Sequence, residues 1–266
     1  MRNTLRLAVL LLAYVACVSP APEATPVSAH TAPLRVLSLG DSYTIGESVP
    51  PTERWSVQLA TLLQANGSSL EPPRIIARTG WTTAELLDAI KKTDDLPQTY
   101  DLVTLLIGVN NQYRGQSEER SRTELQELIA LSVGFARGRT SRVLMLSIPD
   151  WGVTPFAATR NRPQIATEID RFNAVAQQEC RRAGIRFVDI TPLTRTALDQ
   201  PEMVAEDRLH FSGKMYGLWA KTALPTVTSM LTENSYGPHE PPHAFAISLP
   251  EPTATRRVVL RRLRTS

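Results

Sequence analysis

Five short apolar runs, Leu34 to Leu39, Arg74 to Ala77, Leu102 to Ile107, Val143 to Ile148 and Ile185 to Val188, are separated for the most part by stretches of helical period. That alternation constrains the fold more than any other feature of the chain. A strand buried on both faces reads as a near-continuous apolar run, and consecutive parallel strands need a crossover of a dozen or more residues, usually a helix. The intervening stretches supply such helices: Trp55, Leu59, Leu62 and Leu63 form one apolar stripe, Leu86, Leu87 and Ile90 a second, and Leu125, Leu128, Ile129 and Val133 a third. A further helix runs after Pro163 through Ile165, Ile169, Phe172 and Val175, and the last begins after Ser212, a candidate N-cap. The predicted class is α/β, a three-layer α/β/α sandwich on a five-stranded parallel, flavodoxin-like sheet.

The sandwich occupies residues 34–231, with an appendage at each end. Residues 1–16 carry Arg2 and Arg6 ahead of the apolar run Leu7 to Ala16, the layout of an export signal and too short to span a bilayer comfortably. Residues 17–33 form a Pro-, Ala- and Thr-rich tether. Tyr14-Val15-Ala16-Cys17 is similar to a bacterial lipoprotein signal with tyrosine in the usual leucine position; lipidation of Cys17 and ordinary cleavage after a small residue both stay open. Residues 232–266 are Pro-rich and end in Arg256-Arg257-Val258-Val259-Leu260-Arg261-Arg262-Leu263-Arg264. A solvated cationic tail is the simpler reading, a short amphipathic helix on anionic lipid the other. The expected location is outside the cytoplasm, in a bacterial-type cell envelope or secreted, with membrane association through lipidated Cys17 or the Arg-rich tail.

The net charge of +3 hides an acidic body, because Arg2, Arg6, Arg256, Arg257, Arg261, Arg262 and Arg264 all stand at the ends. No nucleic-acid surface is indicated. Cys17 and Cys180 are the only cysteines, so no disulfide framework is expected and stability has to come from the core; Cys180, in a helical pattern, reads as a small buried residue.

In an open parallel sheet, ligands gather outside the carboxyl ends of the strands. Gly40-Asp41-Ser42-Tyr43 follows the first run, Gly80 the second, Asn110 the third, and Asp207-Arg208-Leu209-His210 lies on a loop after the fifth. A serine hydroxyl is a poor nucleophile at neutral pH and needs an imidazole base, which in turn needs a carboxylate to fix its tautomer. Ser42, His210 and Asp207 supply one of each. His30, His239 and His243 fall in the tether or the Pro-rich tail, so His210 is the one imidazole candidate in the body.

These segments resemble the SGNH or GDSL family of serine hydrolases, whose blocks carry Ser, Gly, Asn and Asp-x-x-His in that order. Gly40-Asp41-Ser42 matches the first block, Arg78-Thr79-Gly80 the second, Gly108-Val109-Asn110 the third and Asp207 to Ser212 the fourth, and the resemblance runs from about Leu34 to Val227. It implies Ser42 as nucleophile, His210 as base and then acid, Asp207 as orienter, and an oxyanion hole from the backbone N–H groups of Ser42 and Gly80 with the Asn110 amide. Three positions depart from the pattern: Tyr43 for leucine, Asn111 for aspartate and Phe211 for proline.

Trp81, Tyr113, Trp151 and Phe156 follow strand ends, where aromatics line a substrate pocket or plug the core, and Gln112 and Arg114 add polar groups on the third loop. No long insertion offers a lid. Histidine and cysteine spacing does not suit a metal, no phosphate-cradling glycine loop occurs, and no cofactor is expected. The function expected is an exported serine esterase acting on a small-molecule or polymer-borne acyl ester. Small-acyl or carbohydrate esters stand against lysophospholipids or thioesters. The rival is an inactive surface module that binds carbohydrate or lipid on the same fold.

Overall fold

A computed structural model describes residues 32–97 and 99–232. The export signal, Cys17, nearly all of the tether and the Arg-rich tail lie outside them.

The chain forms β1 (Val36–Gly40), α1 (Ser42–Ile45), α2 (Trp55–Ala65), β2 (Arg74–Ala77), α3 (Thr83–Lys91), β3 (Leu102–Leu106), α4 (Val109–Tyr113), α5 (Glu118–Phe135), β4 (Val143–Leu146), α6 (Arg162–Ala183), β5 (Arg186–Val188), α7 (Thr191–Arg195) and α8 (Gly213–Thr232). The five strands form one sheet in the order β2-β1-β3-β4-β5, every pairing parallel. This is the flavodoxin-like order predicted, with its switch point between β1 and β3.

Side chains alternate across the sheet, and each set finds a helical partner. Val36, Leu102, Leu106, Leu144, Leu146 and Val188 face a core built with Trp55, Leu59 and Leu63 of α2 and Met215, Tyr216, Trp219 and Val227 of α8. Leu37, Leu39, Val103, Leu105, Val143 and Met145 face a second core with Leu86 and Ile90 of α3, Leu125, Leu128 and Ile129 of α5, and Ala176 and Cys180 of α6. Cys180 is buried as expected; desolvation pushes its thiol up to about 12, and its Sγ lies 3.7 Å from Met145 Sδ.

The helix ends follow local chemistry. Thr82 and Glu85 form a reciprocal capping box at the start of α3, Ser117 caps α5, and Gly184 closes α6 in the left-handed region. Ser212 departs from expectation: its carbonyl accepts from Tyr216, as an N-cap carbonyl should, but its hydroxyl donates to the Glu202 carbonyl instead of capping α8. The strands also run slightly differently from the apolar runs. Leu34 makes only an isolated bridge with Leu70, and Ile107 and Ile148 lie beyond their strands, buried where the chain turns into the loops over the carboxyl edge.

Candidate active site

β1 turns abruptly into α1, and Gly40 is what permits it. A Cβ there would collide with the Thr44 hydroxyl and the Leu106 carbonyl. Asp41 caps the turn, accepting the Tyr43 N–H at 3.0 Å, so Ser42 becomes the first helical residue and its N–H has no acceptor inside the helix. Asp41 is fully buried; desolvation pushes its carboxyl up to about 7 against the lowering effect of the Tyr43 N–H, and its second oxygen has no partner among the described residues. Tyr43 lies beneath the site with its ring edge-on to His210 at 5.3 Å, and burial, with nearby carboxylates, holds its phenol protonated well above the usual range.

Asp207 and His210 come from the loop before α8. Asp207 Oδ1 accepts the backbone N–H groups of Leu209 and His210, both at 2.9 Å, while Oδ2 meets His210 Nδ1 at 2.5 Å and accepts the Ser48 hydroxyl at 2.7 Å. Desolvation works against the charged form, but these hydrogen bonds, His210's first among them, hold the carboxyl down at about 2. A carboxylate on Nδ1 leaves Nε2 as the acceptor nitrogen of a neutral imidazole. Arg208 takes a positive φ of 66° inside this loop, which is what bends it tightly enough for the three-residue contact.

Ser42, Asn110 and His210 line one cleft of about 140 Å³ with Tyr43, Val109, Tyr113, Trp151, Phe156 and Leu209. Ser42 Oγ makes no hydrogen bond to the imidazole in this structure, a bond that commonly tightens only in the complex. Asn110 donates one amide hydrogen to the Trp81 carbonyl at 3.0 Å, which fixes the amide plane and leaves the other hydrogen for the cleft. Gly80 sits at the end of the second block with φ 86°, a conformation suited to glycine. Its carbonyl is held by Arg114, and its N–H meets no acceptor among the described residues.

Two expected pocket residues lie elsewhere. Trp81 packs against the α3/α5 core, because past the end of β2 its side chain falls on that side of the sheet. Gln112 is buried behind the cleft, accepting from Trp151 Nε1 at 2.8 Å and donating to Glu168 at 2.7 Å, so it anchors a wall residue instead of facing substrate. Tyr113, Trp151 and Phe156 do line the cleft, in mutual contact, and the Arg160 guanidinium lies 5.5–5.9 Å from all three ring centres. The departures from the family pattern have visible consequences. Asn111 is buried and both accepts from Thr83 N–H and donates to Thr83 Oγ1 and Gln116, a task aspartate could not share. Phe211 is fully buried behind the cleft, packed against Tyr43 and edge-to-face on Trp219.

Sequence reasoning missed Ser48, Arg160 and the bracing role of Gln112. Nothing in the pattern singles out Ser48, a small polar residue whose partner is 159 positions away. Among the described residues there is no cluster of metal-ligating side chains, and no helix is long and apolar enough to cross a membrane.

Residues 38–218 match the model of the GDSL-like lipase/acylhydrolase family. Among solved structures, the chain is similar to a lipase/acylhydrolase from Enterococcus faecalis at 22% identity and a TM-score of 0.58, over 79% of this chain and 100% of that one. TesA is similar at 18% and 0.58, over 74% and 99%. Axe2, an acetylxylan esterase from Geobacillus stearothermophilus, is similar at 18% and 0.56, over 73% and 94%. Identities this low carry the fold. No curated protein matches the chain.

Proposed function

Since the chain belongs to the GDSL-like lipase/acylhydrolase family and is a serine hydrolase of ester bonds, we propose that it works through an acyl-enzyme on Ser42 and prefers short acyl groups carried on a larger alcohol. The observation that carries the reading is the single cleft shared by Ser42, Asn110 and His210, with Asp207 on the far side of the imidazole.

Ser42 Oγ attacks the ester carbonyl carbon as its proton passes to His210 Nε2, and Asp207 stabilises the imidazolium. The tetrahedral oxyanion is met by the Ser42 and Gly80 N–H groups and the Asn110 amide, donors already fixed by the β1–α1 turn, the positive φ of Gly80 and the Trp81 carbonyl. Collapse breaks the bond to the alcohol oxygen, which leaves with the proton from His210. Water, losing a proton to His210, then attacks the acyl carbon, and Ser42 departs with that proton as the acid is released.

Size supports a short acyl chain. A cleft of 140 Å³ is well below the ~300–1,000 Å³ of sites that enclose a drug-sized ligand. The exposed rings of Tyr113 and Phe156 at its mouth give the alcohol portion, such as a sugar, a flat apolar surface. Axe2 acts on acetylxylan; a carbohydrate ester is the corresponding proposal here. The leader and Cys17 favour action outside the cytoplasm, with a lipid anchor or the Arg-rich tail as the membrane contact.

The test is fluorophosphonate labelling of the full chain beside Ser42→Ala and His210→Ala, followed by an ester series of rising acyl length. Stoichiometric labelling lost in both variants, with kcat/KM falling beyond propionyl, supports the reading. A rise toward long chains would move it to lysophospholipids or thioesters, and a folded protein that takes no label would restore the binding-module rival.

A further inference from the structure

We propose that Ser48 is a positioning residue that sets the catalytic geometry of Asp207; this rests on the reading of Asp207 as the orienter of His210. Asp207 has two oxygens with different duties. Oδ1 is occupied by two backbone N–H groups of its own loop, so it fixes the carboxylate only relative to that loop. Oδ2 alone faces the His210 ring, and among the described residues the one group from elsewhere in the fold that holds Oδ2 is the Ser48 hydroxyl at 2.7 Å.

Ser48 reaches it by adopting φ 64°, a left-handed conformation that serine rarely takes and that costs energy to hold. Its neighbours tie the same turn to the rest of the site. Glu47 donates its N–H to the Ser42 carbonyl at 3.0 Å, and its carboxylate accepts from Thr79, beside Gly80. The turn after the nucleophile therefore touches the nucleophile block, the oxyanion block and, through Ser48, the orienter. Its strained member is the one that contacts Asp207.

The strain makes the test discriminating. Ser48→Gly removes the hydroxyl and at the same time relieves the positive φ, so the relieved strain offsets the stability lost with the hydrogen bond and a catalytic defect stands apart from a folding one. Ser48→Asn keeps a donor on a residue that tolerates this conformation. In the full chain, Ser48→Gly is expected to melt no lower than wild type, yet to lower kcat and the fluorophosphonate labelling rate roughly tenfold at unchanged KM, the scale of one partly exposed hydrogen bond to a charge. Ser48→Asn is expected to restore most of the rate. Asp207→Asn is the parallel control, with an expected loss on the order of 10⁴-fold.

Wild-type kcat in Ser48→Gly beside a disabled Asp207→Asn overturns the proposal and leaves Asp207 as orienter. Wild-type kcat in Asp207→Asn overturns the orienter reading itself. A lowered melting temperature in Ser48→Gly, with no rescue by asparagine, assigns the residue to loop stability and also overturns the proposal.

Discussion

The two faces of the sheet are made of different materials. The face covered by α3, α5 and α6 is mainly aliphatic, filled by leucine, isoleucine and valine with Met145 and Cys180, and among the described residues its rings, Tyr100, Phe135 and Trp81 included, form no mutual stack. The face covered by α2 and α8 is richer in aromatic and polar groups: Tyr43 packs on Phe211, Phe211 edge-to-face on Trp219 and Trp219 edge-to-face on Tyr216, Ser38 and Thr104 hydrogen-bond on the sheet itself, and Asp41 is buried on the same side. Of the ten buried side-chain nitrogen and oxygen atoms that find no partner among the described residues, seven belong to Asp41, Thr44, Arg54, Trp55, Ser56, Tyr216 and Trp219, all in α1, α2, α8 or the residues just before them. Each such atom costs about 1–3 kcal/mol unless ordered water serves it. The lesson is that one face holds the sheet together while the other tolerates polar groups beside the chemistry, and substitutions should separate the two.

Beyond the Asp207→Asn control, the largest expected kinetic effect is at the oxyanion side of the cleft. Asn110→Ala should lower kcat about 10²–10³-fold with little change in KM, measured in steady-state ester hydrolysis, because its amide acts on the oxyanion and not on the ground-state ester. An unchanged kcat would remove Asn110 from the oxyanion hole. The opposite signature belongs to the aliphatic face. Leu128→Ala, in a fully buried site on α5, should destabilise by about 2–5 kcal/mol in denaturant melts and leave kcat of the folded protein unchanged. A kinetic defect in this variant would show that the two faces are not independent.

A smaller effect comes from pH. The Asp41 carboxyl releases its proton near pH 7 in the folded protein but near ~3.9 when unfolded. Between those values the folded state holds the extra proton, so this residue's contribution makes stability fall as pH rises. Asp207 runs the other way: its carboxyl is held at about 2, so its contribution is full above the unfolded value and is lost as pH falls toward 2. Asp41→Asn keeps the cap acceptor and should raise the free energy of unfolding most at pH 8 and least at pH 4, by up to about 4 kcal/mol at the alkaline end in denaturant melts. Equal shifts at both pH values would contradict the burial argument. The smallest effect is Tyr216→Phe, which removes an unpartnered hydroxyl and should be neutral or stabilising by ~1 kcal/mol in a thermal melt.

What the sequence made legible follows from the same contrast. The strands were readable because each is buried on both sides and therefore continuous in apolar character, and the four blocks could be gathered because parallel strands deliver their carboxyl ends to one edge. Side-chain direction beyond a strand end obeys no such period. Trp81 and Trp151 follow strands in much the same way, yet one falls into the α3/α5 core and the other into the cleft wall, where Gln112 holds its indole. The Ser48–Asp207 contact was beyond reach for a related reason: it joins two loops whose meeting is decided only when β1 and α8 are both in place.

That meeting also joins an early segment of the chain to a late one. The chain makes its serine early and its imidazole late, and the loop bearing Asp207 and His210 leads directly into α8, which docks against α2 to close the sandwich. A chain cut short before Asp207 holds a hydroxyl with nothing to take its proton. A copy that lacks this loop is chemically silent.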